Sequence, residues 1–283
     1  MPFNADLAGA QWGPIRWEMT PRRVLAYRAA LAPDDADGLD DAAAEGLFAL
    51  PMQVVAPEWV LVLMAREHPG QTLTEAEGRR AVHAGQDSRF HRPIPAGSTL
   101  AVTATLVGAR ASRAGVVTAI RFETRDATTG ELMVESLSTS VYRDVALAGA
   151  ETAEVPAPAY AAPDAEAATA PTPVSPALPH IYSECAEIWN PIHTERTVAL
   201  AAGLPDIIVH GTALWALAGI EAAKLYAGGD TRRMTRLAAR FTGQAFPGQP
   251  MTLAHDQADG AVRLALRSED GRALLTGVAE FSN

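Results

Sequence analysis

The sequence predicts an α+β protein built from two similar halves. Three observations predict this fold class: the chain length, a Pro- and Ala-rich segment near the middle, and the same order of helix and strand patterns on either side of it. With 283 residues, 48% of them hydrophobic, the chain can form two cores of roughly 100–150 residues each. We expect a first half at residues 1–147, a linker at 148–179 and a second half at 180–283, because Pro-rich polar segments pack poorly.

In the first half, helical patterns come before strand patterns. Trp59, Val60, Leu63 and Met64 recur at helical spacing. The later part holds three partly alternating, β-branched runs separated by Gly or Asp turns, which is typical of antiparallel strands. These runs are TLAVTATLVGAR, GVVTAIRFETRD and ELMVESLSTSVYRD. The residues DATTGE between the last two predict a hairpin turn.

The second half repeats this order. A short helix is predicted from His193 to Gly203, and a longer one from Gly211 to Gly228–Gly229. Three strand-like runs follow, namely QPMTLAHDQ, GAVRLALRSEDG and RALLTGVAEFS. Two halves with the same element order suggest a duplication, and such halves can pack against each other as a pseudo-dimer.

Composition excludes several classes of function. The net charge of −10 is unfavourable for nucleic-acid binding, which needs clustered Lys and Arg. The single cysteine, Cys185, allows neither an intrachain disulfide nor a Cys-based zinc site. The N-terminus lacks the basic start and apolar core of a signal peptide, and no apolar run reaches membrane-spanning length. We therefore expect a cytoplasmic protein without nucleic-acid or membrane partners.

His193 is the first candidate for chemistry. It follows Asn190-Pro191-Ile192, and a proline restricts both its own backbone and that of the preceding residue, so this loop is stiff. An imidazole titrates near neutral pH and can act as a general base toward water or an acidic C–H. A histidine that only hydrogen-bonds a nearby carbonyl would have the same sequence context, so both interpretations remain open from spacing alone.

Gly211 is the second candidate. It follows His210 and opens the long predicted helix, where a backbone N–H lacks a helical partner and the helix dipole favours negative charge. Such a donor can stabilise a carbonyl oxygen that becomes negative in a transition state. The alternative is a strand-to-helix turn that merely needs Gly. A base and an oxyanion donor together suit the addition of water to an α,β-unsaturated thioester, or its removal.

The stretch NPIH…AGLPDIIVHG resembles the MaoC-like, or hydratase 2, family of (R)-specific enoyl-CoA hydratases and 3-hydroxyacyl-thioester dehydratases. The first half, with FHRPIPAGSTLAV, resembles the dehydratase-like domain that often precedes the family motif. The resemblance implies a double hot-dog fold, in which each half has a long helix wrapped by a curved antiparallel sheet. It implies one site at the interface, carried by the second half, with the first half non-catalytic.

The resemblance also implies roles for individual residues. His193 matches the family's base, Asn190 its loop asparagine and Gly211 its oxyanion-donating glycine. The implied substrate is an acyl-CoA or acyl-carrier-protein thioester, whose pantetheine arm is part of the substrate, and no metal or redox cofactor is expected. Hot-dog proteins commonly associate further, so by analogy we expect a homodimer.

One departure from the family pattern affects catalysis. The family aspartate falls on Ile188, which can neither hold water nor transfer a proton. Three hypotheses follow. Another carboxylate, Glu187 or Glu184, supplies the function; His193 works alone on an easier reaction such as isomerisation or cyclisation; or the site binds an acyl thioester without hydrating it. A thioesterase is a further alternative among enzymes.

The remaining candidates concern substrate binding. Trp59, together with Phe48 and Met64, is predicted to line the acyl pocket, and His210 is assigned to the substrate-binding set beside Gly211. Arg232 and Arg233 form part of an arginine cluster that could bind the phosphates of the pantetheine arm, since guanidinium groups bind phosphate well.

Overall fold

The first half is an antiparallel sheet with helices placed before its main strands. The computed structural model describes residues 1–152, 155–157 and 160–282. The helices and strands of this half, in chain order, are β1 (Phe3–Asn4), β2 (Gln11–Glu18), α1 (Pro21–Leu31), α2 (Val55–Arg66), α3 (Glu75–Gly78), β3 (Ala81–Phe90), β4 (Thr99–Ser112), β5 (Gly115–Asp126), β6 (Leu132–Arg143) and β7 (Leu147–Ala148). The predicted helix, strand runs and DATTGE hairpin turn are confirmed.

The second half follows the same plan. Its elements are β8 (Ala168–Pro171), α4 (Leu178–Cys185), α5 (Arg196–Ala201), α6 (Gly211–Tyr226), β9 (Met234–Phe241), β10 (Met251–Ala258), β11 (Ala261–Ser268) and β12 (Ala273–Phe281). The long helix and the three strands were predicted. The short helix was predicted to start at His193, which is wrong: Pro191–His193 form a 3-10 turn, and the extended backbone of Glu195 separates this turn from α5.

The two halves join into one ten-stranded sheet with the order β2-β4-β5-β6-β3-β9-β12-β11-β10-β8. Each half contributes five strands, and β3 pairs antiparallel with β9 at the seam. The short strand β8 lies at the outer edge of the second half, where β2 lies in the first. It falls within the segment predicted as a linker, part of which, residues 153, 154, 158 and 159, lies outside the described residues.

The long helices pack on the sheet and complete one shared core. Helix α2 packs against β2 and β4, and α6 against β9, β11 and β12. Trp215 of α6 is fully buried in this core. A Cβ on Gly219 would lie 2.6 Å from the side chain of Leu237 on β9, so a glycine at this position lets the helix approach the sheet closely. The two helix-and-sheet halves confirm the predicted double hot-dog fold.

Side chains also connect the halves at the seam. Arg236 on β9 donates from Nη2 to Asp87 on β3 (2.7 Å) and from Nη1 to Glu280 on β12 (2.9 Å). The side chains of Arg236 and Asp87 are only 11% and 14% exposed, so this ion pair is largely shielded from water. Among the described residues, no helix is both long and apolar enough to cross a membrane.

Candidate active site between the two halves

A rigid turn holds His193. The Asn190 side chain accepts a hydrogen bond from the Ile192 N–H (3.5 Å), and its backbone carbonyl accepts one from the His193 N–H (3.0 Å). Asn190 thus caps the turn, as asparagine commonly does at the start of such elements. With Pro191 fixing the backbone between them, the backbone conformation at His193 is set by local sequence.

The hydrogen bonding of His193 defines its tautomer. Nδ1 lies 2.8 Å from the carbonyl oxygen of Ile208, which can only accept, so Nδ1 carries the proton and Nε2 keeps its lone pair. Burial lowers the pKa of His193 to about 4, and the Ile208 carbonyl opposes this shift. The ring is 9% exposed. His193 is therefore neutral at pH 7, with Nε2 available to accept a proton.

His210 supports His193 from behind. The two rings stack with centroids 3.7 Å apart and planes inclined by 22°. The Nε2 of His210 lies 3.2 Å from Ser183 Oγ and 3.4 Å from the Ile188 carbonyl oxygen. Burial, followed by the neighbouring His193, lowers the pKa of His210 well below its usual value. Predicted as a substrate-binding residue, His210 borders the cavity described below but is 2% exposed, and its contacts position His193.

Gly211 is the first residue of α6, as predicted. Because the first N–H groups of a helix have no intrahelical acceptor, its amide can donate to a ligand, and no hydrogen-bond acceptor for it is found among the described residues. The backbone of His210 is extended (φ −59°, ψ 135°), which separates the helix from the preceding strand-like segment. The helix therefore begins abruptly, with its positive end toward the cavity.

A cavity of about 730 Å³ brings these groups together. His193, Gly211 and Asn190 form part of its wall, and α2 of the first half forms the opposite part through Glu58 and Trp59. The site therefore lies between the halves, as the resemblance implied. Clefts of this size, mostly apolar with few polar groups, are typical of small-molecule sites.

Position 188 is apolar inside this cavity. Ile188 is 6% exposed and lines the wall, so the family aspartate has no equivalent there. Glu187 was predicted as a replacement, but it points away: its carboxylate accepts from Arg23 Nε at 2.8 Å. Its left-handed backbone (φ 54°) turns it out of the cavity wall. Glu184, the other carboxylate considered, lies on helix α4 and is exposed.

Glu58 is a carboxyl group that sequence reasoning missed. It is 4% exposed on α2, and its Oε2 accepts from Gln86 Nε2 at 2.9 Å. Burial raises the pKa of Glu58 to about 7, although hydrogen bonds from Ser136 and Gln86 act in the opposite direction. The signal in the sequence was a single carboxylate within an otherwise apolar helical pattern. Among the described residues that line the cavity, only Glu58 and Asp144 carry carboxyl groups.

The structure places the predicted phosphate-binding arginines, Arg232 and Arg233, outside the main cavity. Arg232 is paired with Glu45 through Nη1 (2.6 Å) and with Asp230 through Nε (2.8 Å). It borders a separate cavity of about 240 Å³. Arg233 donates from Nη2 to the backbone oxygen of Ser282 (2.9 Å). Neither arginine reaches the main cavity, because the 3-10 turn that carries them follows the far end of α6.

Of the three residues of the first half predicted to line the acyl pocket, one lies in the cavity wall and two lie elsewhere. Trp59 lines the main cavity. Phe48 and Met64 do not: Phe48 packs under the guanidinium of Arg232, and Met64 is 40% exposed. Met64 follows Trp59 by five residues, which turns it to a different side of the helix.

Two protein-family models match this chain, and together they cover both halves. The model described as "MaoC like domain" matches residues 159–263, and "FAS1-like, dehydratase domain region" matches residues 6–135. The second half of the chain thus carries a MaoC-like dehydratase domain, and the first half a FAS1-like dehydratase region. This assignment agrees with the position of His193 and Gly211 at the interface between the halves.

Relatives of this MaoC-like protein match nearly its whole length. The 3-hydroxyacyl-thioester dehydratase Y of Mycobacterium tuberculosis is 27% identical, and the alignment covers 97% of this chain and 91% of that protein. Enoyl-CoA hydratase ChsH3 from the same organism is 26% identical, with 89% of each chain covered. The crystal structure of a MaoC-like dehydratase from Phytophthora capsici superposes with a TM-score of 0.81 at 17% identity, over 99% of this chain and 97% of the other. That structural likeness shows a shared fold.

Proposed function

We propose that this protein is a hydro-lyase that interconverts a trans-2-enoyl thioester and a 3-hydroxyacyl thioester. The observation that carries the proposal is the placement of a neutral His193 and the amide of Gly211 in the wall of one cavity. The names of the two full-length relatives, a thioester dehydratase and an enoyl-CoA hydratase, support the same chemistry.

In the hydration direction, Nε2 of His193 takes a proton from water while the water oxygen bonds to C3 of the enoyl group. The C2–C3 double-bond electrons move toward the thioester carbonyl, whose oxygen gains negative charge. The Gly211 N–H and the dipole of α6 stabilise that charge. Transfer of the proton from Nε2 of His193 to C2 then completes the addition and restores the neutral imidazole. Dehydration follows the same steps in reverse, and neither direction requires a metal or redox cofactor.

A carboxyl group in place of the missing aspartate remains the central question for this mechanism. We propose Glu58 as the candidate, because it lies in the wall of the same cavity and its pKa is near neutral. Glu187 is unsuited, since its carboxylate is engaged by Arg23 outside the cavity. If Glu58 has no catalytic function, His193 acts without a carboxylate partner.

The first test is a hydration assay on trans-2-enoyl-CoAs of several chain lengths. Turnover is monitored as the loss of absorbance of the conjugated enoyl thioester. We expect His193→Ala to lower kcat/KM by roughly 10²–10⁴-fold, the range for loss of a general base. Glu58→Gln should lower kcat if Glu58 transfers a proton. His91→Ala is the matched control, because His91 is an exposed histidine paired with Glu135 outside the cavity.

The outcomes separate the hypotheses. Turnover that survives Glu58→Gln but not His193→Ala identifies a histidine that works alone. Binding of enoyl-CoA without turnover at any chain length would contradict the hydro-lyase proposal. It would leave an isomerase, cyclase, thioesterase or acyl-CoA-binding protein, which product analysis by mass spectrometry distinguishes.

The carrier, the assembly and the compartment are proposed from the family chemistry and the sequence. The family's chemistry supports an acyl-CoA or acyl-carrier-protein thioester as substrate. A homodimer of double hot dogs and a cytoplasmic location stay predictions from sequence. Size-exclusion chromatography with light scattering tests the first, and fractionation of cells tests the second.

A further inference from the structure

Four arginines of the first half line the main cavity at its solvent-exposed end. They are Arg66, Arg79, Arg80 and Arg143, called here the arginine mouth. Arg79, Arg80 and Arg143 are exposed, and Arg66 is half-buried, whereas His193 is almost fully buried. The mouth therefore lies where a ligand in the cavity would meet solvent.

The sheet register brings two of these side chains together. Strands β3 and β6 are antiparallel, with Ala81 opposite Tyr142. Arg80 precedes Ala81 and Arg143 follows Tyr142, so the two arginines are the next pair along these strands. The Arg143 N–H donates to the Arg80 carbonyl at 3.2 Å. Like charges that face each other across paired strands repel, so the folded protein holds these two cations close at a cost that a bound anion would relieve.

The other two arginines approach from α2 and from the end of α3. Arg66, the last residue of α2, lies over the Trp59 ring with its Cζ 5.2 Å from the ring centroid. Its Nε is buried and has no hydrogen-bond partner among the described residues. Burial raises the pKa of Tyr142, and the nearby Arg66 opposes that shift. Arg66 thus lies near Tyr142, the residue that directly precedes Arg143 in the chain.

The protein neutralises the mouth only in part: the carboxylate of Asp144, the residue after Arg143, also lines this part of the cavity and offsets one of the four positive charges. Arg79 pairs with Glu75 on α3, and Arg80 Nη1 donates to the backbone carbonyl of Asp144 at 3.3 Å. The guanidinium of Arg143 has no hydrogen bond or ion pair among the described residues. This differs from Arg232, whose guanidinium is already held by two carboxylates. In a chain of net charge −10, four converging cations with so few partners are an anion-binding arrangement.

We propose that the arginine mouth binds an anionic group of the substrate while the thioester lies at Gly211. This inference rests on the proposed function for the position of the thioester. The ligand chemistry is a multidentate oxyanion, for which planar guanidinium groups are suited. Two parts of an acyl thioester can supply it: the phosphates of the pantetheine carrier, or a carboxylate at the distal end of the acyl chain.

The test measures binding without turnover. Dissociation constants are determined by isothermal titration calorimetry for coenzyme A, pantetheine, succinyl-pantetheine and butyryl-pantetheine. The double variant Arg80→Gln/Arg143→Gln is compared with Arg110→Gln/Arg113→Gln, a pair of exposed-strand and turn positions outside the cavity. Both double variants change the net charge by the same amount, and thermal melts establish that each is folded.

Either anion source gives a distinct pattern. If phosphates occupy the mouth, wild type binds coenzyme A more tightly than pantetheine, and the Arg80/Arg143 variant loses roughly tenfold or more for coenzyme A alone. If an acyl carboxylate occupies it, the same loss is confined to succinyl-pantetheine, relative to butyryl-pantetheine. The control variant should match wild type in both cases.

Equal loss in both double variants, or no loss in either, would overturn the proposal. Because binding is measured directly, these results are independent of hydration. If ligand affinity depends on Arg80 and Arg143 but the protein hydrates no enoyl-CoA, the anion site is supported and the hydro-lyase proposal is contradicted. If the protein hydrates enoyl-CoA but ligand affinity does not depend on these arginines, the hydro-lyase proposal is supported and the anion site is contradicted.

Discussion

The two halves share a fold but differ at the start of their long helices. In the first half, a 3-10 turn (Pro51–Val54) runs directly into α2, and the Val55 N–H already donates to carbonyls of that turn. In the second half, His210 is extended and α6 begins at Gly211 without such a turn. The amide at the start of α6 therefore remains available, whereas the amide at the start of α2 does not.

This difference explains why, in the part of the chain that the structure describes, α6 rather than α2 offers an unpaired first amide, where we propose the oxyanion donor. A helix N-terminus is a site for negative charge only if its first N–H groups are unpaired. The segment before the helix decides this, together with the side chains that face it. The second half places a neutral histidine there, while the first half contributes Glu58, Trp59 and the arginine mouth to the same cavity.

The largest expected effect comes from removing the donor at Gly211. Proline is tolerated at the first position of a helix, and the φ and ψ of His210, −59° and 135°, are those favoured before proline. Gly211→Pro should therefore keep the fold and delete the N–H. We expect kcat for hydration to fall roughly 10²–10³-fold.

Gly211→Ala is the matched control for this experiment. It keeps the N–H and adds a Cβ that would lie 3.4 Å from the Phe241 ring, an ordinary contact. Equal losses in the alanine and proline variants would show that the space beside Phe241, and not the amide, is what turnover requires.

The seam between the halves should dominate stability among polar contacts. Asp87 is the more shielded of the two carboxylates that contact Arg236, and Glu280 stays in place when Asp87 is removed, so the cost is at most the roughly 3–5 kcal/mol of a fully broken buried pair. We expect Asp87→Ala to lower the free energy of unfolding by up to this amount in urea denaturation. Arg236→Met/Asp87→Leu should recover most of the loss, because the carboxylate that then lacks this arginine, Glu280, is 35% exposed and can be solvated.

Acidification should lower the free energy of unfolding through the protonation of His193. Burial lowers the pKa of His193 to about 4, so between its unfolded value near 6.5 and pH 4 the unfolded state binds more protons. Stability contributed by neutral His193 is complete above pH 6.5 and falls as the pH drops toward 4. We expect a loss of about 1–2 kcal/mol from His193 between pH 7 and 5, measured as a smaller pH slope of unfolding in His193→Asn.

The smallest effect is expected at the contact between Glu187 and Arg23. Their side chains are 25% and 31% exposed, and partly solvated ion pairs contribute about 0–1 kcal/mol. Arg23→Ala and Glu187→Gln should each change stability by less than about 1 kcal/mol and leave turnover unchanged. A strong loss of kcat in Glu187→Gln alone would return this carboxylate to the site.

The element pattern and the two candidate groups were accessible from sequence for local reasons. Asn190-Pro191 specifies the turn beneath His193, and the apolar run from Gly211 to Tyr226 specifies the long helix. Alternating apolar residues specify the strands of the sheet, as in β4, where buried residues alternate with more exposed ones. These features depend on neighbours within a few positions, which is the information that periodicity and capping residues contain.

Two site residues predicted from sequence lie away from the cavity because of contacts between distant segments. Glu187 is removed from the site by Arg23, which lies on a helix of the other half. Arg232 is neutralised by Glu45, also from the first half. Spacing along the chain carries no information about which opposite charge will be nearby. The sequence could therefore identify these side chains as candidates but could not predict whether they reach the cavity.

The sequence by itself determined a duplicated helix-and-sheet fold, a rigid histidine turn, and an isoleucine where the family has aspartate. Only the tertiary structure decided which carboxyl and guanidinium groups meet in the cavity: Glu58 and the arginine mouth from the first half, with His193 and Gly211 from the second. The physical reason is that burial and charge pairing arise from packing between segments more than a hundred residues apart in the chain. That packing buries both side chains, which raises the pKa of Glu58 and lowers that of His193.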